Sequence, residues 1–353
     1  MSKITVGVIF GGKSGEHEVS LNSAANVMEA MDTSRYDIVK LGITKEGQWK
    51  RYCGQIENIR QNTWQEDKEN IEEGFHVFDQ SGIAAEIDIY FPVLHGPNGE
   101  DGTIQGFFEI AGKPYVGCGV FASAVGMEKT AAKELFRQAG IPIVDYIAFY
   151  INEWQQDQEA IIKSAEAELG YPMFIKPVNM GSSVGISKIK DRADFIPAVE
   201  KAFKHDIKLL IEKMVDGREI ECAVCGNFDA VGSTPGEVIP SREFYDYDSK
   251  YNDGDKSRVI IPAELDSKTA EKVKDYAVRA FKAIDGSGLS RVDFFLEKNS
   301  GKIYINEINT MPGFTQISMY PKMMQHDGLT YAALIDRLIE LGFERYEIRK
   351  TRQ

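Results

Sequence analysis

The sequence is poor in cysteine, in positive charge and in long apolar runs, and each shortage excludes a class of protein. Four cysteines in 353 residues do not make a disulfide framework and fit a reducing compartment. No apolar run approaches the roughly 20 residues of a membrane span, and no charged-then-apolar leader precedes the first strand. A formal net charge of −13 argues against a nucleic-acid or anionic-membrane surface. We therefore expect a cytoplasmic protein with no nucleic-acid and no membrane partner.

The four cysteines do not have the spacing of a metal or redox site. Cys222 and Cys225 form a C-x-x-C pattern, but the stretch 219–225 is predicted to be a strand. Residues three apart on a strand face opposite sides, and a redox pair would open a helix instead. Since Cys53 and Cys118 are isolated, we expect all four side chains to be buried as small apolar groups.

Hydrophobic periodicity divides the chain into three units. The first alternates strands and helices, which is the pattern of a doubly wound α/β fold, and the C-terminal part indicates α+β. Strands are predicted over 4–10, 36–44, 88–94, 146–150, 173–177, 208–212 and 219–225. Helices are predicted over 20–31, 102–111, 127–139, 153–168, 192–205, 267–284 and 331–341. A long polar loop is expected in the third unit.

Near the C-terminus, the stretch 289–308 is predicted to form a hairpin with charged residues on one surface. Because side chains alternate along a strand, Arg291 and Asp293 share a face, and so do Glu307 and Asn309. Carboxylate and amide oxygens suit Mg²⁺, and an adjacent arginine suits a phosphate group. The grouping favours a magnesium-nucleotide site over a solvated polar face with a surface ion pair.

Two glycine-rich stretches match nucleotide fingerprints but lie in the wrong local structure. The stretch 7–14 satisfies the Walker A pattern, yet Val8, Ile9 and Phe10 continue a strand where a phosphate loop needs curled backbone amides. The stretch 117–122 matches a dinucleotide pattern but follows a very short strand and lacks a clear acidic ribose ligand. We predict turns at both places, which argues against an NAD-dependent oxidoreductase.

Polar residues also follow strands in the central unit. Lys176 ends an apolar strand just before the glycine-serine loop 181–185, and both can hold phosphates. For the loop alone, a plain hairpin turn is an equal alternative. Glu212 and Glu219 lie where carboxylates can contact an adenine edge and ribose hydroxyls, although charged strand ends are common.

The loop after the first strand carries Glu16, at the edge where doubly wound folds bind ligands. Glu16 can hold the ammonium group of a small amino acid, or it can be a helix-opening acid favoured by the dipole. His95 follows another strand, and it is the one histidine of five in such a setting. The other four are predicted to lie on the surface.

These motifs, in this order, resemble the D-alanine–D-alanine ligase family of ATP-grasp enzymes. The similarity covers essentially the whole chain and is carried by the segments 11–20, 94–102, 127–129, 175–177, 181–185, 244–251, 290–293 and 306–314. It implies a three-domain ATP-grasp fold with a doubly wound N-terminal substrate-binding domain over 1–126. The central subdomain would cover 127–216 and the C-terminal subdomain 217–353. ATP would bind between these two, and the family suggests a homodimer.

The resemblance assigns residues to metal and to ATP. Asp293, Glu307 and Asn309 would bind two Mg²⁺ ions, with Glu307 bridging and Mn²⁺ as a substitute ion. Phe244 would lie against the adenine, and Lys250 would reach the transferring phosphate. The residues at ATP-binding positions are Lys129, Lys176, Ser182, Ser183, Glu212, Lys213, Val215, Glu219, Phe244 and Lys250.

The resemblance also assigns the groups that would act on the substrates. Glu16, Ser182 and Tyr251 match a hydrogen-bonded triad that closes a loop over 241–257, and Glu16 also orients the first ammonium group. Arg291 and the Gly313 amide would stabilise the tetrahedral intermediate. The residues at substrate-binding positions are Glu16, His95, Arg291, Gly313, Ser318 and Met319.

The implied reaction is ATP-dependent ligation of two D-alanines through D-alanyl phosphate, for peptidoglycan precursor synthesis. The pair Lys250-Tyr251 and the residue Met319 favour D-alanine over D-lactate as the second substrate. D-serine, used by ligases of the vancomycin-resistance type, remains an alternative. A catalytically silent nucleotide-binding regulator is another alternative, against which the intact set of charged residues argues.

Overall fold

The computed structural model describes residues 3–72, 86–239 and 258–351. Within these ranges the strands form three sheets that follow one another along the chain. Three residues of the predicted site, Phe244, Lys250 and Tyr251, lie outside the described residues.

The first sheet is parallel around its central strand, which confirms the doubly wound prediction. Its strands are β1 (Ile4–Gly11), β2 (Tyr36–Ile43), β3 (Trp49–Tyr52) and β4 (Ile89–Pro92). Strand β1 pairs in parallel with β2 on one side and with β4 on the other, while β3 extends the β2 edge in antiparallel fashion. Its helices are α1 (His17–Ala30), α2 (Ile56–Arg60) and α3 (Thr103–Ile110). The carboxyl end of β1 therefore lies at the point where such sheets bind ligands.

Strand β1 runs through the Walker-like stretch. Val8, Ile9 and Phe10 are fully buried in the sheet, and the chain turns at Gly11 with a φ of +91°. A Cβ atom on Gly11 would collide with the Ile43 carbonyl oxygen, so glycine is required at this turn. The structure confirms a strand followed by a tight glycine turn.

The central unit is an antiparallel sheet flanked by short helices. Its strands are β5 (Tyr146–Tyr150), β6 (Met173–Pro177), β7 (Ser187–Ile189) and β8 (Lys208–Lys213), in the order β5-β8-β6-β7. The helices of this part are α4 (Val120–Met127), α5 (Lys129–Gln138), α6 (Ile151–Gln156), α7 (Gln158–Glu168) and α8 (Phe195–Ala202). Its core includes Trp154 stacked on Phe195, with ring centroids 6.2 Å apart.

The third sheet is also antiparallel and contains the predicted hairpin. Its strands are β9 (Gly217–Gly226), β10 (Val231–Gly232), β11 (Gly236–Ile239), β12 (Arg258–Ile260), β13 (Gly288–Glu297) and β14 (Ile303–Asn309). The main order is β12-β11-β9-β13-β14, and β10 pairs with β9. The helices of this part are α9 (Ser267–Ala283), α10 (Met319–His326) and α11 (Tyr331–Lys350). This mixture of helices with an antiparallel sheet agrees with the expected α+β character.

The core of the first sheet continues into the C-terminal helices. Val6 and Phe91 belong to the same buried cluster as Leu338 of α11. Phe91 meets Phe314 edge to face at a centroid distance of 6.2 Å. Helix α11 contacts both α1 and β4. The two ends of the chain thus share one core.

Several predicted elements differ from the observed ones. The helix expected over 153–168 is broken at Asp157, whose side chain accepts a hydrogen bond from the Ala160 amide and so begins α7. The helix predicted to end at Leu341 continues to Lys350, because Gly342 lies inside the helix and not after it. Strands β3, β7 and β10–β12 were not predicted, nor were helices α2, α4 and α10. Of the stretch 117–122, the first part turns at Gly117 and the rest begins α4.

Two predictions about burial are wrong. Cys53 is exposed, whereas Cys118, Cys222 and Cys225 are buried as expected. His17 is fully buried, because its Nδ1 atom pairs with the Gly12 carbonyl oxygen at 2.7 Å beneath the glycine turn.

Among the residues that the structure describes, no helix combines the length and apolarity needed to cross a bilayer.

Candidate active site

The register of the β13–β14 hairpin places the predicted charged residues on one face. Arg291 is opposite Asn309, and Asp293 is opposite Glu307, while Val292 between them is fully buried on the other face. The Asn309 side-chain amide donates a hydrogen bond to Asp293 Oδ2 at 3.0 Å. Two carboxylates and an amide thus lie together, as the alternation of strand side chains predicted.

Arg291 is held by carboxylates on two strands. Its Nε and Nη2 atoms donate to the two Asp293 oxygens at 2.7 Å each, and Nε lies 3.0 Å from Glu221 Oε2. Burial by itself would lower the pKa of the Arg291 guanidinium, but Asp293 and Glu221 raise that pKa well above its usual value. A permanently charged, oriented guanidinium at this position can stabilise negative charge on a substrate.

Glu221 was not predicted as a site residue. It lies on β9 directly opposite Asp293, so that β9, β13 and β14 each present one carboxylate in a row. The available signal was the alternation on β9, where Glu221 follows the predicted Glu219 by two residues and shares its face. The sequence could not show that β9 pairs with β13.

The hairpin offers the type of donor that a hard divalent cation prefers. Within 3–72, 86–239 and 258–351, no group of three or more His, Cys, Asp or Glu side chains is placed to hold a metal ion. Asp293 and Glu307 would therefore act with the Asn309 amide oxygen, and phosphate oxygens or water would complete the coordination. This oxygen set fits Mg²⁺, which keeps several non-protein ligands when it accompanies a nucleotide.

A buried cluster of lysines faces the hairpin from the central unit. Glu212 on β8 pairs through one oxygen with Lys133 and through the other with Lys176, each at 2.5 Å. Burial would raise the pKa of Glu212, but the two ammonium groups lower it to about 2. Lys176 donates to Asn306 Oδ1 at 3.2 Å, and Lys129 lies 3.9 Å from Glu307. The central sheet and the hairpin therefore meet across charged groups.

Two lysines of this cluster come from one face of α5. Lys129 and Lys133 are four residues apart, which places them on adjacent turns. Lys129 donates to the Met180 carbonyl oxygen at 2.6 Å, at the start of the glycine-serine loop. Lys133, which was not predicted as a site residue, is only 1% exposed. The i, i+4 spacing was the available sequence signal for it.

The glycine-serine loop reaches the N-terminal unit. Ser182 Oγ donates a hydrogen bond to Glu16 Oε1. Ser182 and Ser183 have φ angles of +48° and +59°, a left-handed conformation that serine rarely adopts and that shapes the loop around this contact. Two members of the predicted triad are therefore joined, and the third, Tyr251, lies outside the described residues.

His95 connects the first sheet to the segment after the hairpin. Its Nδ1 atom is 3.1 Å from the Met311 carbonyl oxygen, and its Nε2 atom is 3.1 Å from Ser23 Oγ. The Phe314 amide donates to the same Ser23 hydroxyl at 3.3 Å. Burial lowers the pKa of the His95 imidazole, and both ring nitrogens have partners within the protein. His95 thus positions the backbone that carries Gly313.

Glu100 makes a second connection between the same two segments. Its carboxylate accepts hydrogen bonds from the Gly96 amide at 2.6 Å and from the Met311 amide at 3.3 Å. Burial and the nearby charge of Glu16 raise the pKa of Glu100 to about 8. Glu100 lies in the segment 94–102 that resembles the family, but no role was predicted for it, because nothing local to that segment indicates the contact with Met311.

The structure separates Ser318 from Met319. Ser318 Oγ accepts from the Thr315 amide at 3.0 Å, and a Cβ atom on Gly313 would lie 2.9 Å from this oxygen. Gly313 and Ser318 are therefore adjacent. Met319, predicted to contact substrate, is instead buried in the apolar core beside Gly236. It begins α10, and its side chain belongs to the same buried apolar cluster as Leu338.

The remaining predicted residues lie on β8, on β9 or in the connection between them. Lys213 at the end of β8 is exposed, and Val215 and Glu219 are partly buried. A cavity of about 430 Å³ opens beside the N-terminal loop, where its lining includes Lys13 and His95. This cavity lies at the carboxyl ends of β1 and β4, so it provides space next to the segment that carries Glu16.

A doubly wound sheet followed by two antiparallel sheets, with lysines and carboxylates facing each other between the last two, defines the ATP-grasp class of ligases. Two family models match, described as the N-terminus of D-ala D-ala ligase over residues 5–118 and its C-terminus over residues 135–340. The chain belongs to the D-alanine–D-alanine ligase family and is an ATP-dependent ligase.

Individual relatives agree with this assignment. The D-alanine–D-alanine ligase of Ruminiclostridium cellulolyticum is 51% identical, with 98% of this chain and 97% of the relative covered. The solved VanG D-Ala:D-Ser ligase of Enterococcus faecalis is 41% identical, with a TM-score of 0.87 and coverage of 97% and 100%. The solved D-alanine–D-alanine ligase of Coxiella burnetii is 34% identical, with a TM-score of 0.88 and coverage of 99% and 97%.

Proposed function

We propose that this enzyme joins two D-alanines to D-alanyl-D-alanine and converts ATP to ADP and phosphate. One structural observation carries the proposal: polar contacts join the central unit both to the first unit and to the hairpin. Ser182 reaches Glu16 of the first unit, and Lys176 reaches Asn306 of the hairpin. Curated relatives that are about half identical over the full length are named D-alanine–D-alanine ligase, which favours D-alanine over D-serine as the second substrate.

ATP is proposed to bind between the central sheet and the hairpin. Lys129 and Lys176 supply positive charge for the phosphates, with the amides and hydroxyls of Ser182 and Ser183 beside them. The other proposed ATP contacts are Glu212, Lys213, Val215, Glu219, Phe244 and Lys250. Family membership implies a divalent metal, and we propose two Mg²⁺ ions at Asp293, Glu307 and Asn309, with Mn²⁺ as a substitute. When bound, the metal neutralises charge on the phosphates.

The first chemical step activates one D-alanine. Its carboxylate oxygen attacks the γ-phosphorus of ATP, the bond from that phosphorus to the β-phosphate oxygen breaks, and ADP leaves. Glu16 binds the ammonium group and fixes the orientation of the carboxylate. Lys176 supplies positive charge to the nucleotide phosphates, and Lys250 is proposed to reach the transferring phosphate. Since no protein nucleophile is needed, positioning and charge neutralisation account for this step.

The second step forms the peptide bond. The amine of the second D-alanine attacks the acyl carbon of D-alanyl phosphate, a tetrahedral intermediate forms, and phosphate leaves as the carbonyl is restored. Arg291 and the Gly313 amide are placed to stabilise the oxyanion. Ser318, adjacent to Gly313, binds the second carboxylate. Tyr251, Ser182 and Glu16 are proposed to hold the loop 241–257 over the site, because water would otherwise hydrolyse the acyl phosphate.

The cellular setting follows from this product. D-Alanyl-D-alanine is a peptidoglycan precursor, and its synthesis requires cytoplasmic ATP. We therefore propose a cytoplasmic enzyme of cell-wall biogenesis that acts as a homodimer. Size-exclusion chromatography with light scattering tests the dimer, since a monomer mass at working concentration would contradict it.

The direct test is phosphate release from ATP and Mg²⁺ with defined amino acids and mass identification of the products. We expect release with D-alanine alone, none with L-alanine, and the mass of D-alanyl-D-alanine. Competition among D-alanine, D-serine and D-lactate tests the acceptor, and a preferred mixed product would indicate an enzyme of the resistance type. Absence of release with every substrate would contradict the ligase assignment and support a silent nucleotide-binding protein.

A further inference from the structure

One buried lysine has no part in the reaction proposed above. Lys133 is 1% exposed, and its ammonium group makes an ion pair with Glu212 at 2.5 Å. Its Nζ atom also lies 5.9 Å from the centroid of the Tyr146 ring. An unpaired charge at such a depth would be costly, so the partner of Lys133 decides what this residue does.

The partner is shared. Glu212 uses its second oxygen for Lys176, also at 2.5 Å, and the side chains of all three residues are at most 11% exposed. We name Lys133, Lys176 and Glu212 the buried trio, and with both lysines protonated and Glu212 ionised their net charge is +1. Without Lys133, Glu212 would neutralise Lys176 completely, and the trio would present no net charge to an anionic ligand.

We propose that Lys133 is a positioning residue that acts through Glu212, so that Lys176 keeps its positive charge available for the phosphates of the nucleotide. The inference rests on the ATP site proposed above and extends it to a residue that lies behind the site. Lys133 does not need to touch ATP. It divides the charge of Glu212 between two lysines, and in this buried setting each unit of charge is weakly screened.

Charge variants of the buried trio give a graded test. Lys133→Met has a net charge of 0, Lys133→Met/Glu212→Gln returns to +1, Glu212→Gln has +2, and Lys133→Arg keeps +1. Kinetics give KM for ATP and kcat, and inhibition constants are measured for ADP and for adenosine. Adenosine lacks phosphate, so the ratio of its inhibition constant to that of ADP isolates the phosphate contribution. Glu212 contacts with the nucleoside affect both ligands and cancel in this ratio.

The adenosine-to-ADP ratio of inhibition constants should increase with the net charge of the buried trio. Lys133→Met should lower the adenosine-to-ADP ratio about tenfold or more and raise KM for ATP more than it lowers kcat. The double variant and Lys133→Arg should recover most of the ratio, and Glu212→Gln should exceed the wild type. A merely structural lysine would give a double variant no better than Lys133→Met, and that result would overturn the proposal.

The chain offers a matched control in Lys208. It lies on β8 four residues before Glu212, and it pairs with Glu128 at the start of α5 at 2.7 Å. Lys208→Met removes another ion pair between β8 and α5, about a fifth exposed, that is no part of the buried trio. It should leave the adenosine-to-ADP ratio unchanged. An equal loss in Lys208→Met would mean that general damage to this packing, and not charge sharing, weakens ADP.

Two further results distinguish a failure of the role proposed for Lys133 from a failure of the proposed ATP site. If Lys176→Met leaves KM for ATP unchanged, the proposed ATP site fails, whatever Lys133 does. If Lys176→Met weakens ATP binding but Lys133→Met does not, only the role of Lys133 fails. Should Lys133→Met not fold, wild type, Lys133→Arg and the double variant still give a test, because all three keep a trio charge of +1 and should show similar adenosine-to-ADP ratios. A much lower ratio in the double variant would overturn the proposal.

Discussion

At the scale of single residues, the Asp293 carboxylate both accepts hydrogen bonds from its neighbours and is proposed to bind metal. Its carboxylate accepts two hydrogen bonds from Arg291 and one from Asn309, and it lies opposite Glu307. A metal ion at this place would share those oxygens with the guanidinium. The hydrogen bonds therefore orient the carboxylate before any cation binds, which is the form of preorganisation that catalytic sites use.

Removal of one carboxylate charge should abolish turnover without unfolding the protein. For Asp293→Asn and for Glu307→Gln we expect phosphate release to fall by roughly 100-fold or more, since charge neutralisation at the phosphates is lost. Arg291 keeps Glu221 as a partner in the first variant, so the melting temperature should change little. Glu297→Gln on the same strand is the control and should remain active. Near-normal activity in either site variant would exclude that residue from the metal set.

Glu100 makes stability depend on pH in a direction unusual for an acid. Its folded-state pKa of about 8 exceeds the ordinary 4.5, so the folded protein binds this proton more tightly than the unfolded chain. Its favourable contribution is complete below about pH 4.5 and is lost as the pH rises toward 8. Glu100→Gln should therefore lose stability less steeply than wild type between pH 5 and 8 in denaturant titrations without nucleotide or metal.

The control for this pH effect is Glu18. Lys45 lowers the pKa of the Glu18 carboxyl below 4.5, so Glu18→Gln should keep the wild-type slope above pH 5. Equal slopes for wild type and Glu100→Gln would contradict the assigned pKa of Glu100. The result would also bear on Glu16, whose charge contributes to the shift.

A site residue could be predicted from the sequence when its partners lie close to it along the chain. Asp293, Glu307 and Asn309 were identifiable because alternation within two neighbouring strands predicts a shared face. Lys133, Glu221 and Glu100 were missed. Each becomes significant through a partner on another element, at distances in the chain of 79, 70 and 211 residues to Glu212, Arg291 and Met311. No local pattern encodes such a pairing.

At the scale of elements, segments with a strong sequence pattern were predicted correctly, whereas short strands at sheet edges were missed. The strands at 146–150 and 173–177 have the predicted bounds, because each is a short, mostly apolar run. Strands β7, β10 and β12 have two or three residues and carry no period that can be recognised. Their existence depends on the sheet edges they extend, which the sequence does not specify.

Gly342 shows how tertiary contact can reverse a helix signal. A glycine usually indicates a helix end, yet here it lies in the middle of α11. A Cβ atom at this position would lie 2.8 Å from the Tyr115 backbone carbonyl oxygen. The absence of a side chain therefore permits close packing of α11 against the segment after α3, and it does not end the helix.

Two glycine-to-alanine substitutions inside helices should change the free energy of unfolding in opposite directions. Gly342→Ala introduces a clash with backbone, which we expect to lower the free energy of unfolding by about 1–3 kcal/mol despite the better helix propensity. Gly106→Ala in α3 meets nothing within 4 Å, so it should raise that free energy by about 0.5–1 kcal/mol. Urea titrations of both variants decide the matter. Stabilisation by Gly342→Ala would contradict the close approach of α11 to Tyr115.

At the scale of the whole molecule, the core does not follow the order of the chain. The sheet formed by β1, β2 and β4 shares its buried cluster with α11, whereas the central unit has a cluster of its own. Local periodicity predicted three units, but it could not indicate that the last helix completes the first sheet. That connection depends on side chains separated by more than 200 residues.

Hydrogen exchange should reveal this shared core. Leu338→Ala in α11 should cost about 2–5 kcal/mol and accelerate exchange at amides of β1 and β4. Ile162→Ala in the separate cluster of the central unit should cost a similar amount and accelerate exchange in β6 and β8, while β1 stays protected. If Leu338→Ala left β1 and β4 as protected as in the wild type, the first sheet would be stable without the last helix.

The shared core has a consequence for synthesis on the ribosome. The apolar face of the first sheet is complete in sequence once Val93 is made, but its partner Leu338 is added 245 residues later. At 5–20 residues per second this delay is about 12–50 s. During that time the nascent chain carries an uncovered apolar surface. We expect newly translated chains to depend on a holding chaperone until the final helix emerges, and a ribosome stalled before α11 to hold the chain in its most aggregation-prone state.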